Sequence, residues 1–406
     1  MNKKFGLLGR TLKHSYSKKI HALLADYNYD LYEVEPSGLS NFVNGDLDGY
    51  NVTVPYKKDI IPYLDKVDKS AKEIGAVNTV VIKNGKKYGY NTDFLGMKYM
   101  LARAEITLKD KVVMILGSGG TSLTAKAVAK DLGAKEIVVV SRSGEINYQN
   151  CYDLDGVSVI INTTPVGTYP DNYSSPIDLT RFTSLSGVAD VVYNPSMTML
   201  TYTAKMLGIK YVNGFSMLVA QAKYASELFT GKKIPDTMIE ELTEKLSKEN
   251  QNIVLVGMAG SGKSTVGKAI AEKLNREFID TDLEIEKREG KSIKEIFAEN
   301  GEEYFREIER KVVKDICKLT GKVIATGGGV VINNENLFPL KSNGLTFWIK
   351  RDIDKLSREN RPLSKNLDAV KDLYEKRKDL YEKFADFAVD NNGDIDKTVK
   401  GIIEKL

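Results

Sequence analysis

Between Asn252 and Ile270 the chain reads NIVLVGMAGSGKSTVGKAI: an apolar run, a glycine loop and a helical pattern in immediate succession. The run Ile253–Val256 has no polar alternation, as expected of a strand covered on both faces in a parallel sheet. Gly257 to Ser264 fits G-x-x-x-x-G-K-[S/T] in full. A loop of that form turns backbone N–H groups toward phosphate oxygens at a helix N-terminus, where the helix dipole also favours negative charge. Gly257, Ala259, Gly260, Ser261 and Gly262 supply the wrap, and Ser264 and Thr265 open the helix. Lys263 would reach the β- and γ-phosphates and the Ser264 hydroxyl would sit on Mg²⁺. The competing reading is a glycine turn that only joins strand to helix. The full motif in the right context favours ATP or GTP.

Working outward toward the N-terminus, a second glycine loop follows a strand and opens a helix in KVVMILGSGGTSLTAKAVAKDL. Gly117 and Gly119 match the first two glycines of a dinucleotide fingerprint, and Ser122 is small enough for the third position. Ser118, Gly120 and Thr121 complete the turn. The next strand, EIVVVSRS, ends in Ser141-Arg142-Ser143, where an NAD site carries an acid. A guanidinium and two hydroxyls suit the 2′-phosphate of NADP instead. INTTPVG then ends a further strand in polar and glycine residues, with Thr163 expected beside the nicotinamide ribose.

This alternation of apolar runs and amphipathic helices continues along the chain, so the fold class is α/β with parallel sheets. The helical pattern TMIEELTEKLSKENQN loses its apolar positions toward its end, and 247–251 reads as a linker before the strand–loop–helix pattern restarts. A chain of 406 residues exceeds one ordinary core. With 42% hydrophobic and 28% charged residues it is globular, and a net charge of +4 with interspersed signs argues against a nucleic-acid surface. No leader pattern or long apolar run is present, and two isolated cysteines speak for a cytoplasmic location. Only two histidines accompany them, so a Cys/His zinc site is not expected. Small-molecule partners are expected, without nucleic acid or membrane; monomer and homodimer both stay open.

Residues downstream of the first loop address the phosphoryl acceptor. FIDTDLEI places Asp280 and Asp282 two apart, on one side of an extended chain. GEEYFREIER puts Arg306 and Glu309 on one helix face. VIATGGGV ends a strand in Gly327, Gly328 and Gly329, where a ligand can approach the backbone closely. ENRPLSKN carries Arg361 in a lid-like stretch, and KRKDLYEKFAD carries Arg377. In this order the set resembles shikimate kinase over roughly Asn252 to Leu406. The resemblance implies that Asp282 binds the acceptor hydroxyls and that Asp280 helps Ser264 hold magnesium. It also implies that Arg306 and Arg377 grip the acceptor carboxylate, that the glycine triplet contacts substrate, and that Arg361 covers the phosphates. Lys263, Asp282 and Arg361 are its catalytic residues. A planar carboxylate is well matched by fork-shaped guanidinium groups. The lid segment looks short, and Arg358 is left open as an adenine contact.

The segment before the second glycine loop is rich in hydroxyl and amide groups: Ser15 and Ser17 in KHSYSKKIH, Asn51, Thr53 and Lys57 in NVTVPYKK, Asn78 in GAVNTV, Asn91 and Asp93 in YNTDFLG, and Gln221 in NGFSMLVAQAK. Such a set fits a polyhydroxylated ligand. It resembles shikimate dehydrogenase across roughly Lys4 to Leu246. By that resemblance Ser15, Ser17, Asn51, Thr53, Asn78, Tyr193 and Gln221 bind substrate, Lys57 and Asp93 are the catalytic pair, and Gly214 and Met217 border NADP. His14 is not needed as general acid, because the lysine fills that role. His21, Trp348, Tyr374 and Tyr381 read as packing or surface positions.

Together the resemblances imply a substrate domain at 1–100 completed by helices 214–246, a Rossmann domain at 101–213 and a P-loop domain at 252–406. The last is expected as a three-layer α/β/α fold of nucleoside-monophosphate-kinase type with a five-stranded parallel sheet. The implied function is NADPH reduction of 3-dehydroshikimate followed by Mg-ATP phosphorylation of shikimate, with NADP(H), ATP and Mg²⁺ as cofactors. Two alternatives stay open. One is a quinate/shikimate-type dehydrogenase joined to a kinase with another acceptor; the other has one half as a non-catalytic nucleotide-binding module.

Overall fold

A computed structural model describes residues 3–12, 15–356 and 367–406. The chain forms two compact units. The first comprises Met1–Thr168, Ser174–Tyr193 and Leu200–Lys245, and the second Tyr169–Tyr173, Asn194–Met199 and Leu246–Leu406.

The first unit holds two sheets. One is built from β1 (Lys4–Gly9), β2 (Asn28–Glu33), β3 (Gly49–Val52), β4 (Lys66–Val67), β5 (Thr79–Lys83) and β6 (Lys86–Tyr90), in the order β2-β1-β3-β5-β6-β4. β1 runs parallel to β2 and β3, while β3–β5 and β5–β6 are antiparallel. The other contains β7 (Val112–Leu116), β8 (Glu136–Val140), β9 (Val157–Asn162), β10 (Gly187–Asp190) and β11 (Lys210–Val212), all parallel in the order β11-β10-β9-β7-β8. That order reverses between β7 and β9, and in doubly wound sheets the crevice at such a switch point takes the ligand. The runs VVMIL and VSVIIN are apolar because both faces of this sheet are covered, by separate apolar clusters around Val113 and Met114.

Helix Phe215–Thr230 packs along helix Thr92–Arg103 and also on helix Ser17–Leu24. Its far end puts Phe229 against Phe5 of β1, ring centroids 4.4 Å apart. The close crossing of the two long helices is set at Gly96: a Cβ there would lie 2.8 Å from Met217 O and 3.2 Å from Gln221 Cβ.

The second unit is built on a five-stranded parallel sheet of β12 (Asn252–Val256), β13 (Phe278–Asp280), β14 (Val323–Ala325), β15 (Gly344–Lys350) and β16 (Phe387–Asp390), ordered β13-β14-β12-β15-β16. Apolar clusters on both faces complete the α/β/α layering. The residues read as a linker are helical: helix Thr237–Asn250 runs through them, and only Gln251 separates it from β12. Among the described residues no helix is long and apolar enough to cross a membrane.

Candidate functional site

In the first unit the expected substrate residues converge at the ends of β1, β3 and β5. Lys57 lies in the turn after β3, and Asp93 in the first turn of helix Thr92–Arg103. That helix is started by Asn91, whose side chain accepts from Phe94 N at 3.1 Å and donates to Ala76 O at 2.9 Å. So anchored, Asp93 Oδ2 meets Lys57 Nζ at 2.6 Å, with the two side chains 9% and 14% exposed. The stem of Lys57 lies beside Gly120, where a Cβ would be 3.5 Å from Lys57 Cβ. The lysine stem therefore runs beside the second glycine loop, and its amine ends at Asp93.

Asn51 and Asn78 are buried, and much of their bonding capacity is spent inside the protein. Asn51 accepts from the Tyr29 hydroxyl at 2.7 Å and donates to Thr79 Oγ1 at 3.0 Å. Asn78 Oδ1 accepts from Thr92 N at 2.7 Å, tying β5 to the helix that carries Asp93. Tyr29, Thr79 and Thr92 were not foreseen as parts of this frame. Ser15 Oγ accepts from Ser17 N at 3.2 Å. Thr53 sits beside Gly9 of β1. Gln221 faces the Asp93 helix across the Gly96 crossing and donates to Leu218 O at 3.0 Å. Tyr193 meets Tyr16 edge to face at 5.9 Å, and Tyr16 in turn meets Phe215. His14 lies outside the described residues. His21 is buried and stacks on Tyr29 at 3.9 Å, and its Nδ1 lies 2.6 Å from the Tyr27 hydroxyl. Burial pushes its imidazole down to about 3, with the Asn51 side chain opposing in part.

The second glycine loop closes the switch-point crevice. Gly117 adopts φ +104°, and a Cβ on it would meet Thr163 Oγ1 at 2.9 Å, so only glycine fits the approach of the β7 and β9 ends. Thr163 is held there by Leu116 O at 2.6 Å. A Cβ on Gly119 would meet nothing within 4 Å, which leaves the open cradle a pyrophosphate requires. Ser118 is exposed and Thr121 half-buried at the mouth, and Arg142 and Ser143 are exposed after β8 beside half-buried Ser141. Gly214 passes hard against Val191 backbone, and Met217 is buried. The residues present fit a dinucleotide.

In the second unit the expected residues gather at the C-terminal edge of the sheet. Gly257, Gly260 and Gly262 all take positive φ, and helix Lys263–Leu274 follows. Ser261 is buried, Ala259 half-buried, and Ser264 and Thr265 are exposed at the helix start. Lys263 Nζ folds back to Gly257 O and Met258 O, each at 2.9 Å. Ser264 Oγ donates to Asp280 Oδ2 at 2.6 Å. A hydroxyl and a carboxylate so close, beside a phosphate loop, are a donor set suited to Mg²⁺.

One expectation about this region is corrected. Asp280 and Asp282 do not share a strand face, because β13 ends at Asp280. Asp280 instead caps helix Thr281–Glu289 by accepting from Asp282 N at 3.0 Å, and the helical turn carries Asp282 toward the glycine triplet. There Asp282 Oδ1 and Glu309 Oε1 are both shut off from solvent without a partner. Burial, then the charges of Asp280 and Glu309, push the Asp282 carboxyl well above the carboxylate range, while Lys263 and Arg306 oppose them. Glu309 is raised by burial against the pull of Arg306, to which it bonds at 2.7 Å. Glu309 was foreseen only as a helix-face neighbour of Arg306; its free oxygen makes it part of the site.

All three glycines of the triplet are closely approached, Gly328 by backbone and the other two by side-chain ends. A Cβ on Gly327 would lie 2.6 Å from Asp282 Oδ1 and 2.8 Å from Glu309 Oε1; one on Gly328 would lie 2.7 Å from Ala259 N; one on Gly329 would strike the Arg306 guanidinium. Arg377, buried on helix Leu367–Phe384, donates to Gly328 O at 3.1 Å. Carboxylates, guanidiniums and phosphate loop thus surround one volume. Arg358 and Arg361 lie outside the described residues.

Comparisons with known proteins agree with both halves. The family model for the shikimate dehydrogenase substrate binding domain matches residues 7–80, and that for shikimate kinase matches residues 259–406. A shikimate dehydrogenase (NADP(+)) from Clostridium perfringens is 37% identical over 266 residues, covering 60% of this chain and 98% of that protein. Among solved structures, shikimate dehydrogenase 1 from Peptoclostridium difficile is 33% identical with a TM-score of 0.57, covering 60% of this chain and 97% of that one. The chorismate mutase/shikimate 5-dehydrogenase fusion protein from Clostridium acetobutylicum is 34% identical with a TM-score of 0.58, covering 61% and 98%. With the two glycine loops and their surrounding residues, these matches establish that the chain belongs to the shikimate dehydrogenase family through its N-terminal part and carries a shikimate kinase domain in its C-terminal part.

Proposed function

We propose that this polypeptide performs two consecutive reactions: NADPH-dependent reduction of 3-dehydroshikimate to shikimate, then Mg-ATP-dependent phosphorylation of shikimate to shikimate 3-phosphate. The observation that carries the proposal is that the two families represented in one chain share a molecule, as product of one and substrate of the other.

In the first reaction NADPH supplies hydride to the ketone carbon. Negative charge grows on the ketone oxygen, and the Lys57 ammonium stabilises it and donates the proton that completes the alcohol. Asp93, 2.6 Å from Nζ, holds that ammonium in place. The hydroxyls of Ser15, Ser17 and Thr53 and the amides of Asn51, Asn78 and Gln221 bind the ring substituents. Arg142, Ser141 and Ser143 select the 2′-phosphate.

In the second reaction Ser264 and Asp280 would hold Mg²⁺, which would supply charge neutralisation to the phosphates. Lys263 exchanges its loop carbonyls for phosphate oxygens, and Arg361 completes the cover. Asp282 accepts the proton of the attacking hydroxyl; its raised affinity for protons suits that task. Arg306 and Arg377 bind the carboxylate.

The test is to run each half alone. Shikimate with NADP⁺ and no ATP must yield NADPH, and shikimate with Mg-ATP and no NADP⁺ must yield ADP. Turnover of quinate with shikimate ignored would favour the quinate-type alternative for the first half.

A further inference from the structure

Tyr381 has the helical spacing of a core residue and is fully buried, yet its hydroxyl faces the site. The ring stacks on Trp348 of β15, centroids 5.7 Å apart and planes 26° from parallel, which fixes its direction. The hydroxyl donates to Gly328 O at 2.5 Å and lies 3.6 Å from Met258 Sδ in the phosphate loop. One phenol therefore touches both the acceptor-side triplet and the nucleotide-side loop. Burial pushes it up to about 12, so it stays a neutral donor. Gly328 O has two lone pairs, and its other described donor is Arg377.

We propose that Tyr381 is a positioning residue of phosphoryl transfer, holding the Gly328 carbonyl so that Arg377 can turn its remaining N–H groups to the acceptor's carboxylate. The inference rests on the shikimate kinase reading above. Without the hydroxyl, Gly328 O is left to Arg377 alone. The guanidinium is drawn onto the backbone, its fork turns from the carboxylate, and the triplet loses its tie to Met258. Affinity for a carboxylate-bearing acceptor falls, while the nucleotide contacts made by Gly260–Thr265, beyond Met258 in the loop, hold.

Tyr381→Phe in the full-length chain keeps the ring and removes the hydroxyl. KM for shikimate is expected to rise about tenfold, in line with the loss of one buried hydrogen bond. KM for ATP and the dehydrogenase rate should hold. Trp348, the chain's single tryptophan, gives a second readout free of turnover. Its emission should titrate with shikimate in the parent protein, and the midpoint should move by the same factor in the variant. An unchanged shikimate KM and midpoint overturn the proposal, as does an equal rise in both KM values, which marks a merely structural role. If Tyr381→Phe does not fold, Arg377→Lys, which cannot span carbonyl and carboxylate, must raise the shikimate KM alone; an unchanged value also overturns it. A parent protein that phosphorylates no shikimate sinks the kinase reading itself, a result distinguishable from an active parent with an indifferent variant.

Discussion

Lys57 Nζ lies 2.6 Å from Asp93 Oδ2, and the two residues are joined across 36 positions of sequence. The turn after β3 delivers the amine, and a helix start anchored by Asn91 and Asn78 delivers the carboxylate. Lys57→Ala is therefore expected to lower dehydrogenase kcat by about 10²-fold or more, the usual contribution of a positioned proton donor. Shikimate phosphorylation by the same variant should be unchanged. Loss of both activities would contradict independent sites.

Arg142 stands exposed two residues after β8 ends, beside Ser141 and Ser143. Arg142→Ala should raise KM for NADPH at least about tenfold, as loss of a charge-assisted bond to phosphate predicts. KM for NADH should barely move. Equal effects on both cofactors would remove Arg142 from 2′-phosphate recognition.

The kinase should carry an acid limb above the normal carboxylate range. Asp282 must be ionised to accept a proton, and burial with the charges of Asp280 and Glu309 raises its affinity for one. Activity is therefore lost as pH falls through that raised value. Glu309→Gln removes one of the raising charges, so the limb of kcat/KM against pH should move to lower pH. A limb that stays put would show that Glu309 does not act on Asp282.

His21 supplies a pH-dependent term in stability. Its folded imidazole is held neutral down to about 3, whereas the unfolded group titrates at 6.5. As pH falls below 6.5 the unfolded chain binds the proton first, and the folded state loses up to about 1.4 kcal/mol per pH unit until about 3. Urea midpoints for His21→Gln should fall less steeply over this window than those of the parent protein; parallel profiles would contradict the assignment.

Both glycine loops are legible in the sequence because Gly117, Gly257, Gly260 and Gly262 take positive φ just after an apolar strand. The triplet Gly327–Gly329 is legible for a different reason, the close approach of neighbouring groups to its backbone. What lay hidden depends on where chain direction changes. Asp280 and Asp282 look like neighbours on a strand until the strand ends between them. Tyr381 looks like core because helical spacing reports the ring and not the hydroxyl. Asn51 and Asn78 announce polar chemistry, but the sequence does not reveal that Tyr29, Thr79 and Thr92 consume part of their bonding. β6 and β16 also escape pattern reading: Lys86–Tyr90 contains two lysines and a glycine, and Phe387–Asp390 is an edge strand only half covered.

The central claim, that one polypeptide carries 3-dehydroshikimate through both steps, is tested by supplying the purified chain with that compound, NADPH and Mg-ATP and following products by mass spectrometry. The account predicts shikimate 3-phosphate, with one NADPH oxidised and one ADP formed for each molecule made. Consumption of NADPH with shikimate as the final product, or no reaction of the ketone at all, would contradict it.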